Sequence, residues 1–162
     1  MLRWDIKSYL YLSVGLLLST LLFVNLSIAQ DYYQCTRVID GDTIVVKIAD
    51  KEERVRLIGV DTPETVHPNK PVEYFGKEAS EFTKRMVEGK RVKLEYDWQR
   101  RDKYRRLLAY VYLEDGTFLN AEIIKQGYGF AYIRFPFKYL DEFRKYEREA
   151  RESNKGLWAD NH

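Results

Sequence analysis

Between Gln34 and Leu57 apolar side chains recur at every second residue, a period that half-buried β-strands satisfy and helices do not. Ile44, Val46 and Ile48 fall on one face of the middle run, with Thr43, Val45 and Lys47 on the other. Asp40-Gly41-Asp42 and then Asp50-Lys51 interrupt the alternation as turns. Val55, Leu57 and Gly59 follow on one side of the next run, opposed by Arg54 and Arg56. The stretch therefore predicts three strands in a meander, and a lone meander leaves both edges open. The rest of the chain must close or cover it.

The downstream pattern supplies the missing elements. Asn69 to Glu73 reads as a polar, proline-containing loop, and Phe75, Ala79, Phe82 and Met86 then recur at helical spacing up to a stop at Gly89. Arg91 to Tyr96 alternates as a fourth strand with Val92, Leu94 and Tyr96 inward, and Arg106 to Leu113 reads as a fifth. Asp115-Gly116 makes a tight turn. Asn120 to Gln126 predicts a short helix with Asn120 as its N-cap and Gly127 after its end. Leu140, Phe143, Tyr146 and Ala150 mark a last amphipathic helix, with Asp141/Lys145 and Glu147/Arg151 as i, i+4 pairs. Five strands with a helix between the third and fourth predict an α+β domain, a five-stranded OB-type β-barrel capped by about three helices.

At 162 residues, 45% apolar and 32% charged, the chain suits one such domain. Its first residues depart from that composition. Arg3 and Lys7 precede an uncharged run from Tyr9 to Ile28 that ends in Ser27-Ile28-Ala29, the pattern of a secretory signal cut after Ala29. The run is also long enough to span a bilayer, which needs about 20 apolar residues, so an uncleaved anchor through residues 8–28 is the alternative. Either reading divides the chain into a leader, 1–29, and a domain, 30–162, that is secreted or held at the outer face of the membrane. Removing residues 1–29 takes away Arg3, Lys7 and Asp5, so 27 bases and 25 acids become 25 and 24. Attraction for a polyanion then has to come from local clusters such as Arg100, Arg101, Lys103, Arg105 and Arg106. Cys35, the single cysteine, excludes an intrachain disulfide and reads as strand packing.

Two short acidic segments, Asp40-Gly41-Asp42-Thr43 and Asp61-Thr62-Pro63-Glu64-Thr65, are candidates for a hard-cation site if strand pairing brings them together. Taken singly, each is an ordinary turn or loop. Arg56 and Arg106 would suit the extra negative charge of a pentacoordinate phosphorane if they face that site. With only His67 and His162, neither zinc hydrolysis nor a paired-histidine mechanism has the residues it requires, and His67 reads as a loop residue.

From about Gln34 to Trp158 the chain resembles the staphylococcal nuclease family in an ordered set of motifs. These are Ile39-Asp40-Gly41-Asp42-Thr43, Val55-Arg56-Leu57, Val60-Asp61-Thr62-Pro63-Glu64-Thr65, His67-Pro68 and Tyr74-Phe75-Gly76. The set continues with Asp102-Lys103-Tyr104-Arg105-Arg106-Leu107-Leu108-Ala109-Tyr110, Gln126-Gly127, Ala131-Tyr132 and Gly156-Leu157-Trp158. The resemblance implies one Ca2+ ion held by the carboxylates of Asp42 and Asp61 and the backbone carbonyl of Thr62, with Asp40 behind them. It implies that Glu64 orients or deprotonates the attacking water and that Arg56 and Arg106 hold the phosphate. Lys103 and Tyr104 would contact a neighbouring phosphate, and Tyr132 would stack against or border a base. The implied reaction breaks the P–O5′ bond of DNA or RNA, leaves a 3′-phosphate end, and is carried out by a monomer.

Two residues depart from the family pattern. Arg105 stands where a glycine commonly precedes the second arginine, and it must strain or shift its loop if that glycine serves a positive φ. Arg134 stands where a second tyrosine helps wall the nucleotide pocket. The competing functions are a non-catalytic OB module that binds nucleic acid without cutting it, and an envelope protein that captures DNA through a tethered domain. Retention of Asp42, Asp61, Glu64, Arg56 and Arg106 together favours the enzyme.

Overall fold

A computed structural model describes residues 31–65 and 71–159. The expected leader, residues 1–29, and His67, expected in a loop, lie outside the described residues. The domain from Tyr32 onward is built on strands β1 (Tyr32–Asp40), β2 (Thr43–Ile48), β3 (Lys51–Leu57), β5 (Arg91–Glu95) and β6 (Leu107–Leu113). They form a closed barrel in the order β1-β2-β3-β6-β5. All neighbours are antiparallel except β3 and β6, which run parallel with Val55 opposite Leu107 and Leu57 opposite Ala109. Closure removes the open edges that the meander alone would leave. The expected five-stranded barrel is the observed one.

Among the described residues three helices accompany it: α1 (Gly76–Val87), α2 (Leu119–Lys125) and α3 (Leu140–Glu152), followed by a 3-10 turn at Gly156–Trp158. Ile44, Val46, Val55, Leu57, Val92, Val111, Ile123 and Phe143 share one continuous core. Each fully buried side chain of this kind stabilises the fold by about 1.5–3 kcal/mol. Two dipeptide strands, β4 (Val60–Asp61) and β7 (Phe130–Ala131), pair antiparallel as a separate ribbon, which the sequence reading did not foresee.

Several local expectations shift. The β2–β3 turn is Ala49-Asp50 and not Asp50-Lys51, with both residues at positive φ (46° and 65°) as a two-residue hairpin matched to strand twist requires. Val45, expected on the outer face, is buried; its register neighbours Arg37 and Arg54 flank it across the sheet. Tyr96 lies beyond the end of β5 and is half-buried, its ring covered by the Arg100 guanidinium at 4.1 Å. Asn120 is not an N-cap. Phe118 occupies that place, while the fully buried Asn120 side chain accepts from Val111 N–H (2.9 Å) and donates to the carbonyls of Ile58 (2.9 Å) and Ala109 (3.3 Å). On α3 the Glu147–Arg151 pair forms at 2.6 Å, but Lys145 turns to Glu149 (3.7 Å). Asp141 sits in the first turn instead, where free backbone N–H groups favour a carboxylate.

Candidate nuclease site

The two acidic segments meet because a glycine lets them. Gly41, in the β1–β2 turn, lies against Thr62 so closely that a Cβ there would stand 2.8 Å from the Thr62 hydroxyl oxygen. Across this contact Thr62 N–H donates to Asp42 Oδ2 at 3.1 Å. Thr83 on α1 fixes the same turn from beneath, its hydroxyl donating to the Gly41 carbonyl at 2.7 Å. A second close approach seats the rest of the Asp61–Thr65 segment. Gly76, the first residue of α1, packs against Thr65 and the carbonyls of Pro63 and Glu64 with no room for a side chain.

Asp42 and Asp61 both bind one guanidinium. Arg56 Nη1 is 2.9 Å from Asp42 Oδ2 and Arg56 Nη2 is 3.1 Å from Asp61 Oδ1, while Nη1 also donates to the Val60 carbonyl at 2.6 Å. Arg56 is thus held at three points on the outward face of β3. Burial raises the Asp61 carboxyl above its ordinary range, although Arg56 pulls it back down. Burial also pushes Asp40 up to about 6, against the pull of the Thr65 hydroxyl and Gly41 N–H; the Asp42 charge and a hydrogen bond shared with Glu64 raise it further. The donation from Thr65 Oγ1 to Asp40 Oδ1 is 2.7 Å long, so Asp40 ties the two acidic segments together.

Arg106 enters from the start of β6, next to β3 through the parallel seam. Its Nε donates to Asp102 Oδ2 at 2.7 Å, and Asp102 Oδ1 accepts from the backbone N–H of Tyr104 (2.9 Å) and of Arg106 (3.0 Å). Asp40, Asp42, Thr43, Arg56, Asp61, Thr62, Glu64, Tyr104 and Arg106 line one polar cleft. Every residue expected to hold the metal, the attacking water or the phosphate being cut is in that list, and Arg105 is not. Lys103 and Tyr132 border an adjoining apolar cleft, which shares Arg56, Tyr104 and Arg106 with the first. Arg105 takes φ 64°, the left-handed conformation that a glycine would adopt without strain. Arg134 lies over the Tyr132 ring at 5.9 Å.

Sequence reasoning missed four contributors. Glu73 lines the polar cleft and accepts Glu64 N–H at 3.1 Å. Asp102 orients Arg106, and its signal was an acid four residues before the arginine. Trp98 and Phe135 line the apolar cleft.

Among the described residues no three of His, Cys, Asp and Glu converge as a metal cluster. The donor set nevertheless fits a hard cation. It consists of two carboxylates already drawn to a single positive group, with Thr62 beside them and, among the described residues lining the cleft, neither imidazole nor thiolate. An ion bound by so few protein groups would keep several coordination positions for water.

A family model described as staphylococcal nuclease homologue matches residues 54–160. The thermonuclease of Staphylococcus hyicus is 46% identical over 128 residues, spanning 78% of this chain and 75% of its own. The thermonuclease of Staphylococcus intermedius is 48% identical over 127 residues, with the same coverage of both chains. Endonuclease YncB of Bacillus subtilis is 44% identical over 126 residues, 76% of this chain and 59% of its own. With a closed barrel that brings two arginines and two acidic segments to one cleft, these matches show that the chain belongs to the staphylococcal nuclease family.

Proposed function

We propose that this protein is an exported, calcium-dependent nuclease that hydrolyses phosphodiester bonds of DNA and RNA and leaves 3′-phosphate ends. The observation that carries the reading is the convergence of Arg56, Arg106, Glu64, Asp42 and Asp61 on one polar cleft. Relatives named thermonuclease and endonuclease support nucleic acid as the substrate. Export rests on the apolar leader, residues 1–29.

The chain's own groups divide the work. Arg56, held by Asp42 and Asp61, and Arg106, held by Asp102, approach the phosphate from adjacent strands and offer paired donors to its equatorial oxygens. Because both are fixed before substrate arrives, little reorganisation accompanies the growth of negative charge. Glu64 accepts a hydrogen bond from the attacking water, aligns it opposite the leaving 5′ oxygen and takes its proton. Calcium, when bound by Asp42, Asp61 and the Thr62 carbonyl, supplies Lewis-acid polarisation and a template for the phosphate. Asp40 acts on the ligands indirectly, by fixing the turn that presents Asp42. Lys103 and Tyr104 take the neighbouring phosphate, and Tyr132 borders the base.

Supercoiled plasmid DNA incubated with the protein tests this directly. Nicking and linearisation are expected in calcium and their absence in chelator. Magnesium, which demands near-octahedral geometry, should support far slower turnover. Equal rates in the two metals would count against calcium, and no cleavage in calcium would leave a binding module in place of an enzyme.

A further inference from the structure

Large apolar side chains left in water are unremarkable when scattered, but here they are gathered. Trp98 is 69% exposed, Phe135 62% and Tyr104 59%, and all three line the same cleft of about 480 Å³. Tyr132 adds a fourth ring, its centroid 6.1 Å from that of Phe135. The cleft is a built one. Trp98 Nε1–H donates to the Pro136 carbonyl at 3.2 Å, joining the two loops that carry Trp98 and Phe135. Asp97 clasps the same loops, accepting Trp98 N–H at 2.8 Å and Lys138 N–H at 2.9 Å while its Oδ2 also takes the Tyr110 hydroxyl at 2.6 Å. The indole is therefore anchored by its own N–H and by the Trp98 backbone, and the Phe135 ring by the loop that accepts that N–H, while both side chains stay largely exposed.

We propose that Trp98 and Phe135 form a second base-stacking site, beyond Tyr132, which takes an unpaired base next to the nucleotide being cut. The inference rests on the nuclease reading above. Its occupant follows from charge and continuity. The cleft opens into the polar one through Arg56, Tyr104 and Arg106, and Lys103 adds a further cation along its wall. A strand whose phosphate lies between the two arginines runs on past Lys103 with its next base beside the rings. Apolar ring faces beside cations that follow a phosphate backbone are the chemistry of single-strand binding. Bases in a duplex already have both faces covered by their neighbours, so only a splayed base can use these rings.

The test compares kcat/KM in calcium for a thymidine hexanucleotide, a thymidine dinucleotide and a DNA duplex, using the unmodified protein, Trp98→Ala, Phe135→Ala and Trp98→Phe. Each alanine variant should lower the hexanucleotide-to-dinucleotide ratio by about tenfold, through KM, because one stacked base contributes about that factor. The preference for single strand over duplex should fall with it, and Trp98→Phe should restore most of both. Unchanged ratios, or an equal loss on all three substrates, would overturn the proposal. If the unmodified protein cuts none of them, the nuclease reading fails and the stacking site is judged by binding alone. Hexathymidylate in chelator should then quench the part of the tryptophan fluorescence that Trp98→Ala removes, and no such quenching overturns the site.

Discussion

Arg105 and Arg106 are adjacent cations with opposite assignments, and the backbone separates them. Arg106 N–H and Nε are both held by Asp102, which turns its guanidinium into the polar cleft, whereas Arg105 has φ 64° and its carbonyl accepts from Arg101 Nη1 at 2.7 Å. Replacing Arg56 or Arg106 by Ala should lower kcat by about 10³-fold, the scale of a lost transition-state donor. Lys103→Ala and Tyr104→Ala should mainly raise KM, and Lys103→Ala should flatten the salt dependence of binding. Arg105→Gly should retain kcat and stabilise the fold by about 1 kcal/mol, read from the urea midpoint, because glycine takes the left-handed conformation without a Cβ penalty. Loss of turnover in Arg105→Ala with Arg106→Ala intact would reverse the two assignments. The strain at Arg105 was legible in the sequence, since an arginine stood where a glycine is usual. The role of Asp102 was not, because an acid in a charge-rich loop has many possible partners and only the fold selects one.

At the scale of elements, Asn120 carries the sharpest expectation. Its side chain satisfies one buried N–H and two carbonyls between β6 and the residue after β3. Asn120→Leu keeps the volume and strands the Val111 N–H and the Ile58 carbonyl, whereas the Ala109 carbonyl keeps Ile58 N–H at 3.0 Å, so it should destabilise by about 3 kcal/mol, at about 1–3 kcal/mol for each unsatisfied group, offset in part by added apolar burial. Urea unfolding with an unchanged m-value checks it, and a loss below about 1 kcal/mol would mean that relaxation or water satisfies the groups. In the sequence this residue looks like a helix cap, because Asn before an apolar run usually is one. The longer strands were readable from their period of two. β4 and β7 are two residues each, too short to have a period, and they form only because α2 turns the chain back beside Val60. The contact of Gly41 with Thr62 was equally hidden. Each residue is unexceptional in its own segment, and their meaning arises across 21 positions of chain.

For the whole molecule, near-neutral net charge and a concentrated cationic loop predict steep salt dependence of substrate binding with little change in the fold's stability. The leader makes a separate prediction. In bacterial expression the full chain should reach the extracytoplasmic fraction, and intact mass distinguishes a cleaved product starting at Gln30 from an anchored one retaining Met1. A soluble cytoplasmic product that keeps residues 1–29 would overturn export. The parallel seam between β3 and β6 has a further consequence for a chain made from its N-terminus. Asp42, Arg56 and Asp61 emerge in the first half of the domain, but Arg106 joins them only when β6 docks beside β3. Long-range pairing of this kind comes late, since the loop must close before its contacts stabilise it. A chain still being synthesised thus carries the acidic half of the cleft without its second arginine, and competence to attack nucleic acid is withheld until the barrel is complete.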